Sequence, residues 1–402
     1  MKRLELLGYF VFITLGINVA ILGPALQTLS ERTGAGIAEL GYLFATMSVG
    51  YLASAPVIGS LRINASLRPL LSAAGLIVVS LWLFTVATTL WMVLAAALLL
   101  GFGQACTQVG FITLIGTQMR SEGDSGSRLN RVNAFFGVGA LVGPLLVALS
   151  YRQFGGALPA FWAAMVMDLL LLAMALRMRL PAAVVAEEGA PRAMSDGALL
   201  RTPAMLALVA MMAVYVGAEV AFSSWTTEFT RLAANVDVAS ASLASSVFFG
   251  GLAFSRYFAA VLLSRTSLLR ALFAMLGVAA CGVGLMLAPF SPYVVVLIGS
   301  MIVGVGYGPV YPTLVSAAIA RFPREARSVS SLVTSAGSFG AVLIPALTGN
   351  VIEGANGLSL AWGMQLASIA LMLAMLVGMR RSLLAAPEAP RPERRPAPAE
   401  PS

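Results

Sequence analysis

Glu219 is a carboxylate set about sixteen residues inside an apolar run that spans 203–228. An ionised carboxylate at the centre of a membrane helix costs about 2.5–3.5 kcal/mol on insertion scales unless it meets water, a partner or a proton. Such a group can load and release a proton or bind a polar solute. It can also serve as a structural hydrogen bond between helices. Asp168 poses the same question midway along the run 159–178, where a coupling role competes with a local structural bond. Arg256 lies in the run 239–262, about five residues from its end. At 1.5 Å per residue this places it roughly 10–15 Å from the depth of Glu219. No direct ion pair is therefore expected, and Arg256 is assigned to snorkelling or to the neighbouring inner loop.

Neutral polar groups are sparse and similarly placed. Asn18, Gln108 and Asn133 are amides inside apolar runs. Amides donate to and accept from hydroxyl groups without charge, which suits a sugar-like solute, although they also tie helices together. Trp225, Tyr307 and Tyr311 could stack on a ring or close a cavity; Trp225 lies nearest an interface, where an aromatic-belt role is the alternative. Pro24, Pro144, Pro309 and Pro312 interrupt helical patterns and, with Gly304, Gly306 and Gly308, permit bending and close approach.

Other chemistry is excluded. The 402 residues contain no histidine, which removes His-based metal sites, Ser-His-Asp catalysis and His proton relays. Cys106 and Cys281 sit in apolar runs and imply no disulfide framework. No nucleophile–base pair or metal cluster is apparent, so neither an enzyme nor a cofactor is expected. The net charge of +8 is spread singly between apolar runs, which argues against a nucleic-acid surface.

The elements that must position these groups follow from hydrophobicity. With 59% hydrophobic and 10% charged residues the chain is not an ordinary soluble domain, for which roughly 25% charged is usual. Apolar runs long enough to cross about 30 Å of hydrocarbon fall at 6–29, 39–60, 69–89, 91–118, 129–150 and 159–178, and again at 203–228, 239–262, 267–288, 292–318, 329–351 and 359–379. Backbone groups in lipid must be satisfied internally, so these runs are expected to be helices. Of the Lys and Arg residues, 21 fall in one set of alternating loops and 3 in the other, with Arg256 inside a helix. The positive-inside rule then places both termini in the cytoplasm of a multi-pass inner-membrane protein, taken as a monomer.

The chain thus reads as an all-α polytopic membrane protein of about 12 transmembrane helices in two pseudo-symmetric six-helix bundles. The bundles are 1–179 and 203–384, joined by a cytoplasmic linker at 180–202 and followed by a disordered tail at 385–402. A shift of 203 residues pairs Gly101 with Gly304, Gly103 with Gly306, Arg62 with Arg265, and Phe136-Gly137 with Phe339-Gly340, which marks an internal duplication.

Four stretches carry a family resemblance: Leu22 to Leu26, Asn130 to Pro144 (NRVNAFFGVGALVGP), Tyr215 to Trp225 (YVGAEVAFSSW) and Gly304 to Thr313 (GVGYGPVYPT). With the duplicated architecture, they resemble the major facilitator superfamily and, within it, the fucose permease-like sugar symporters. The resemblance implies a substrate cavity between the halves, lined by the first, fourth and fifth runs among others. It also implies a gating loop between the second and third runs. There Gly59, Arg62 and Arg68 are present, with Arg256 and Arg265 considered for the equivalent inner region, while Ile63 stands at the expected aspartate position. Where that branch carries acidic residues in its first and fourth helices, this chain has the neutral Asn18, Gln104 and Gln108.

The reading is a secondary transporter of a small polar or sugar-like solute, coupled to a cation gradient with H+ as the expected ion. Asn18, Gln108, Asn133, Glu219, Trp225, Tyr307 and Tyr311 are the candidate substrate-binding residues, and Glu219 and Asp168 the candidate proton carriers. Two alternatives stand beside it. Gly139 to Pro144 (GALVGP) partly matches an antiporter motif, which favours drug or metabolite efflux. A nontransporting receptor or scaffold would have equal spans but would not require buried polar groups in both halves.

Overall fold

The structure, a computed structural model, describes residues 2–60, 67–118, 125–177, 196–288, 292–352, 354 and 356–384. The first half comprises α1 (Lys2–Ala20), α2 (Leu22–Thr33), α3 (Ile37–Leu40), α4 (Tyr42–Ser60), α5 (Leu67–Val86), α6 (Leu90–Gln118), α7 (Ser125–Phe154) and α8 (Leu158–Leu176). A short α9 (Asp196–Leu200) precedes the second half: α10 (Pro203–Ala233), α11 (Val238–Arg265), α12 (Leu268–Met286), α13 (Tyr293–Tyr307), α14 (Val310–Arg321), α15 (Ala326–Ile352) and α16 (Gly357–Leu384). No strand occurs among the described residues.

Ten helices are long and apolar enough to cross a membrane, counting Tyr293–Arg321 as one. The pair α1 and α2, bent by 48°, forms an eleventh, and α5, whose apolar stretch Leu71–Val86 is shorter, stands beside the five spans of the first half. Trp91, Trp162, Leu170, Val294 and Phe339 each remain at least half exposed. Apolar surface of this extent requires a lipid solvent.

Prolines set the two breaks. Pro24 lacks the N–H that would bond the Ala20 carbonyl, and the first span bends at Ile21, between α1 and α2. Pro309 and Pro312 act likewise between α13 and α14; the ring of Pro312 strips the Gly308 carbonyl of its helical donor.

Glycines make the duplication physical. A Cβ on Gly101 would collide with the Met47 backbone of α4, and one on Gly304 with the Phe248 backbone of α11. Gly50 faces Leu98 as Gly251 faces Met301, and Gly16 faces Phe136 as Gly217 faces Gly340. The same helix pairs, α4 with α6 and α11 with α13, thus approach backbone to backbone in each half, as membrane helices do through small residues. The halves meet through α7 against α11, α4 against α15 and α2 against α10.

Candidate functional site

A cavity of about 250 Å³ lies between the halves. Its first-half wall is built by Val19 and Ala20 at the bend of the first span, Ser48 and Tyr51 on α4, Gln104 and Gln108 on α6, and Phe136 on α7. The second half supplies Ser223 and Ser224 on α10, Phe249 on α11, Tyr311 on α14, and Thr334 and Ser338 on α15. Every polar side chain in this wall is neutral.

The hydrogen bonds show which groups are left to meet a solute. The Tyr51 hydroxyl donates to Gln108 Oε1 at 2.6 Å, and the Tyr311 and Thr334 hydroxyls are 3.2 Å apart. Ser48, Ser223 and Ser338 each donate to a carbonyl of their own helix, those of Phe44, Val220 and Thr334, which leaves their oxygens free to accept. Gln104 is 6% exposed and its Nε2 has no partner. The wall therefore offers several hydroxyl acceptors beside the Phe136 and Phe249 rings, while the unpaired Gln104 Nε2 is itself buried.

Glu219 lies next to this cavity, between the lining residues Val216 and Val220 and Ser223 on the same helix. The Tyr215 hydroxyl is in hydrogen-bond contact with Glu219 Oε2 and lies 2.8 Å from the Tyr307 carbonyl, with one proton to serve the two acceptors. Arg256 reaches the same carboxylate: Nη2 is 3.4 Å from Glu219 Oε1, and Nε donates to the Gly308 carbonyl at 2.9 Å. This corrects the depth argument, which separated the two residues. Arg256 lies nine residues before the end of α11, and its long side chain runs sideways to the carbonyl that Pro312 leaves without a donor. Arg256 thus ties α10, α11 and the α13–α14 break together. Tyr307 is fully buried, donates to Gln365 Oε1 at 3.2 Å and meets the Tyr215 ring edge-on at 5.8 Å.

Trp225 is fully buried, which removes the aromatic-belt reading. Its Nε1 donates to the Pro345 carbonyl at 3.0 Å, its ring meets Phe44 edge-on at 6.0 Å, and Gly41 and Gly349 flank it. Tyr42 donates to Asn350 Oδ1 at 3.3 Å nearby. Trp225 thus lies buried in the contact between the halves, on the side away from the chain's ends.

Of the predicted binding residues, Gln108 and Tyr311 line the cavity. Asn18 lies just outside it, where its Nδ2 donates to Asp168 Oδ2 at 2.8 Å; both residues are wholly buried. Asn133 belongs to α7 and Gly59, Arg68 and Arg265 to α4, α5 and α11, but their side-chain environments lie outside the described residues, as does Arg62 entirely. Tyr51, Ser223, Ser224, Thr334, Ser338, Phe136 and Phe249 were not singled out from sequence. Their signal is faint, since serine and threonine are common in membrane helices and only the crossing of several helices makes a wall of them.

A model of the Major Facilitator Superfamily matches residues 8–345 and, in a second alignment, 241–401. The sodium-dependent glucose transporter 1A of Mus musculus is 27% identical over 146 residues, which is 36% of this chain and 33% of that protein. The match therefore spans a third of that relative's length. The crystal structure of the nucleoside transporter NupG superposes with a TM-score of 0.74, and that of a point mutant of the same transporter with 0.77; each covers 96% of this chain and 99% of the other at 14% identity. Identity that low speaks for the fold alone. With paired halves about a shared cavity and a family match over most of its length, the chain belongs to the Major Facilitator Superfamily and is a transporter, not an enzyme.

Proposed function

We propose that this protein moves a small, neutral, polyhydroxylated solute across the membrane by alternating access, coupled to a cation gradient. The observation that carries the reading is the cavity wall: hydroxyls from both halves, two amides from the first, aromatic rings, and no charged side chain among the described residues. Directional acceptors and donors with a few aromatic faces suit a solute that has hydroxyls on its rim and an apolar face. The volume of about 250 Å³ suits a single sugar ring. The names of the glucose and nucleoside transporters it resembles point to the same class of cargo.

In this reading the halves 1–179 and 203–384 rock about the cavity, with Trp225 sealing one side. Glu219 is the coupling carboxylate, because it touches both the lining helix α10 and, through Arg256, the break after α13. The protein sits in the inner membrane with both termini cytoplasmic and works as a monomer, with H+ as the coupling ion. Efflux of lipophilic cations fits less well, since no anionic side chain lines the cavity.

The test is uptake into proteoliposomes under an imposed pH or sodium gradient, preceded by a thermal-shift screen against hexoses, nucleosides and lipophilic cations. Stabilisation and gradient-driven accumulation of a hexose or nucleoside support the proposal. Extrusion of a lipophilic cation, or binding without flux for every solute, overturns it.

A further inference from the structure

Behind the cavity wall, α8 packs on α1 and buries a carboxyl group. Asp168 and Asn18 are both 0% exposed, and Asn18 Nδ2 donates to Asp168 Oδ2 at 2.8 Å. The Thr14 hydroxyl also lies beside the carboxyl group, while bonding the Val11 carbonyl at 2.9 Å. The other two oxygens, Asn18 Oδ1 and Asp168 Oδ1, are buried without any hydrogen-bond partner. Both are acceptors as long as the acid is ionised, so neither can satisfy the other.

No countercharge relieves this arrangement among the described residues. The elements packed on α8 are α5, α1 and α7. The described part of α5 from Leu71 to Val86 has no ionisable side chain. On α1 the titratable groups are Lys2, Arg3, Glu5 and Tyr9, all more than two turns from Asn18, and Tyr9 stacks on Phe135. On α7 they are Tyr151, bonded to Thr28, and Arg152 in the last turn. Arg68, Arg128 and Arg131, on α5 and α7, have side chains outside the described residues, and each lies in the opening turns of its helix. A lone carboxylate this deep is costly.

One proton resolves both defects. Placed on Asp168 Oδ1 it turns one of the two acceptors into a donor, and a carboxylic acid and a primary amide then pair at two points, N–H to carbonyl oxygen and O–H to amide oxygen. We propose that Asp168 and Asn18 form a proton-binding site, with the proton on Asp168 Oδ1 shared with Asn18 Oδ1. No other bond changes: the proton comes from water and returns to it. Asn18 immediately precedes Val19 and Ala20, which line the cavity at the bend of the first span. Loss of the proton would leave an unpaired carboxylate against α1, so occupancy of this site is coupled to the packing of a cavity-lining helix. The site is distinct from Glu219, which belongs to the other half.

Infrared spectroscopy of the purified protein tests this without any solute, so its outcome is independent of the substrate reading. At neutral pH, the difference between wild type and Asp168→Asn should contain the carbonyl stretch of a protonated carboxyl group, slow to shift in deuterated buffer because the site is closed. Asn18→Ala should keep that band but move it to higher frequency, since the acid loses its acceptor. Asp168→Asn is chosen because an amide pair retains two-point bonding and so favours folding. If that variant does not fold, the Asn18→Ala shift decides the matter alone. A difference spectrum showing only carboxylate bands, or a band unmoved by Asn18→Ala, overturns the proposal.

Discussion

Replacing Gln104 with methionine should separate solute binding from stability, because the two readouts should move differently. Gln104 is 6% exposed and lines the cavity, and its buried Nε2 has no partner among the described residues. A buried donor without a partner costs about 1–3 kcal/mol, an upper limit here because the side chain borders the cavity. Methionine matches its length and flexibility without the polar group. The solute-free protein should therefore melt at the same temperature or higher. Once the Gln104 amide turns into the cavity to meet a bound solute, the variant lacks one neutral hydrogen bond of about 0.5–1.5 kcal/mol, which at 1.4 kcal/mol per tenfold raises KM roughly 2- to 12-fold. The assay is initial-rate uptake in proteoliposomes of whichever hexose or nucleoside the screen returns, alongside the melting temperature of the empty protein. An unchanged KM in a well-folded variant would refute the reasoning, as would a clear loss of stability without solute. Tyr51→Phe should behave otherwise: it breaks the 2.6 Å bond to Gln108, so stability should fall together with affinity.

Three further outcomes follow from the same geometry. Glu219→Gln retains a partner for the Tyr215 hydroxyl but removes the charge that faces Arg256; it should abolish gradient-driven accumulation while exchange at equal concentrations continues, and undiminished accumulation would exclude Glu219 from coupling. Trp225→Phe deletes the bond to the Pro345 carbonyl and so weakens the closed contact by about 0.5–1.5 kcal/mol; labelling of Ser224→Cys, in a background without Cys106 and Cys281, should rise by up to about tenfold with a membrane-impermeant reagent, and equal labelling would show that Trp225 is not the seal. Asp237 caps α11 through the Ser240 amide and hydroxyl, which hold its carboxyl below the usual range. A depressed folded value means that this stability is present above the unfolded value, about 3.9, and is lost as pH falls through the folded one. Asp237→Ala should therefore cost about 1 kcal/mol at neutral pH, and its melting curve should converge on wild type in acid.

Much of the architecture was legible in the chain alone. Runs of some twenty apolar residues leave the backbone no option in lipid but helices, and the 203-residue offset between Gly101 and Gly304 anticipated paired backbone contacts with Met47 and Phe248. The bends at Pro24 and at Pro309 with Pro312 were legible for a similarly local reason, since a missing N–H acts within one turn, whereas Pro144, read the same way, lies inside the unbroken α7. The site was only partly legible. Gln108 and Tyr311 stand in the cavity wall, yet depth counted along separate helices kept Arg256 away from Glu219. That count ignores the sideways reach of an arginine and the pull of an unpaired carbonyl at Gly308.

The sequence by itself determined that this chain must live in lipid, that it builds two series of long apolar helices, and that Pro24, Pro309 and Pro312 can bend them, because each of these depends on composition over one or two turns or one bilayer thickness. Tertiary structure alone decided that Asn18 serves Asp168 and lies outside the cavity wall, that Trp225 is buried between the halves and is not a belt residue, and that Ser223, Thr334 and Gln104 share one wall. Those outcomes depend on which faces of distant helices meet, and a helix face has no partner until the other helices are in place.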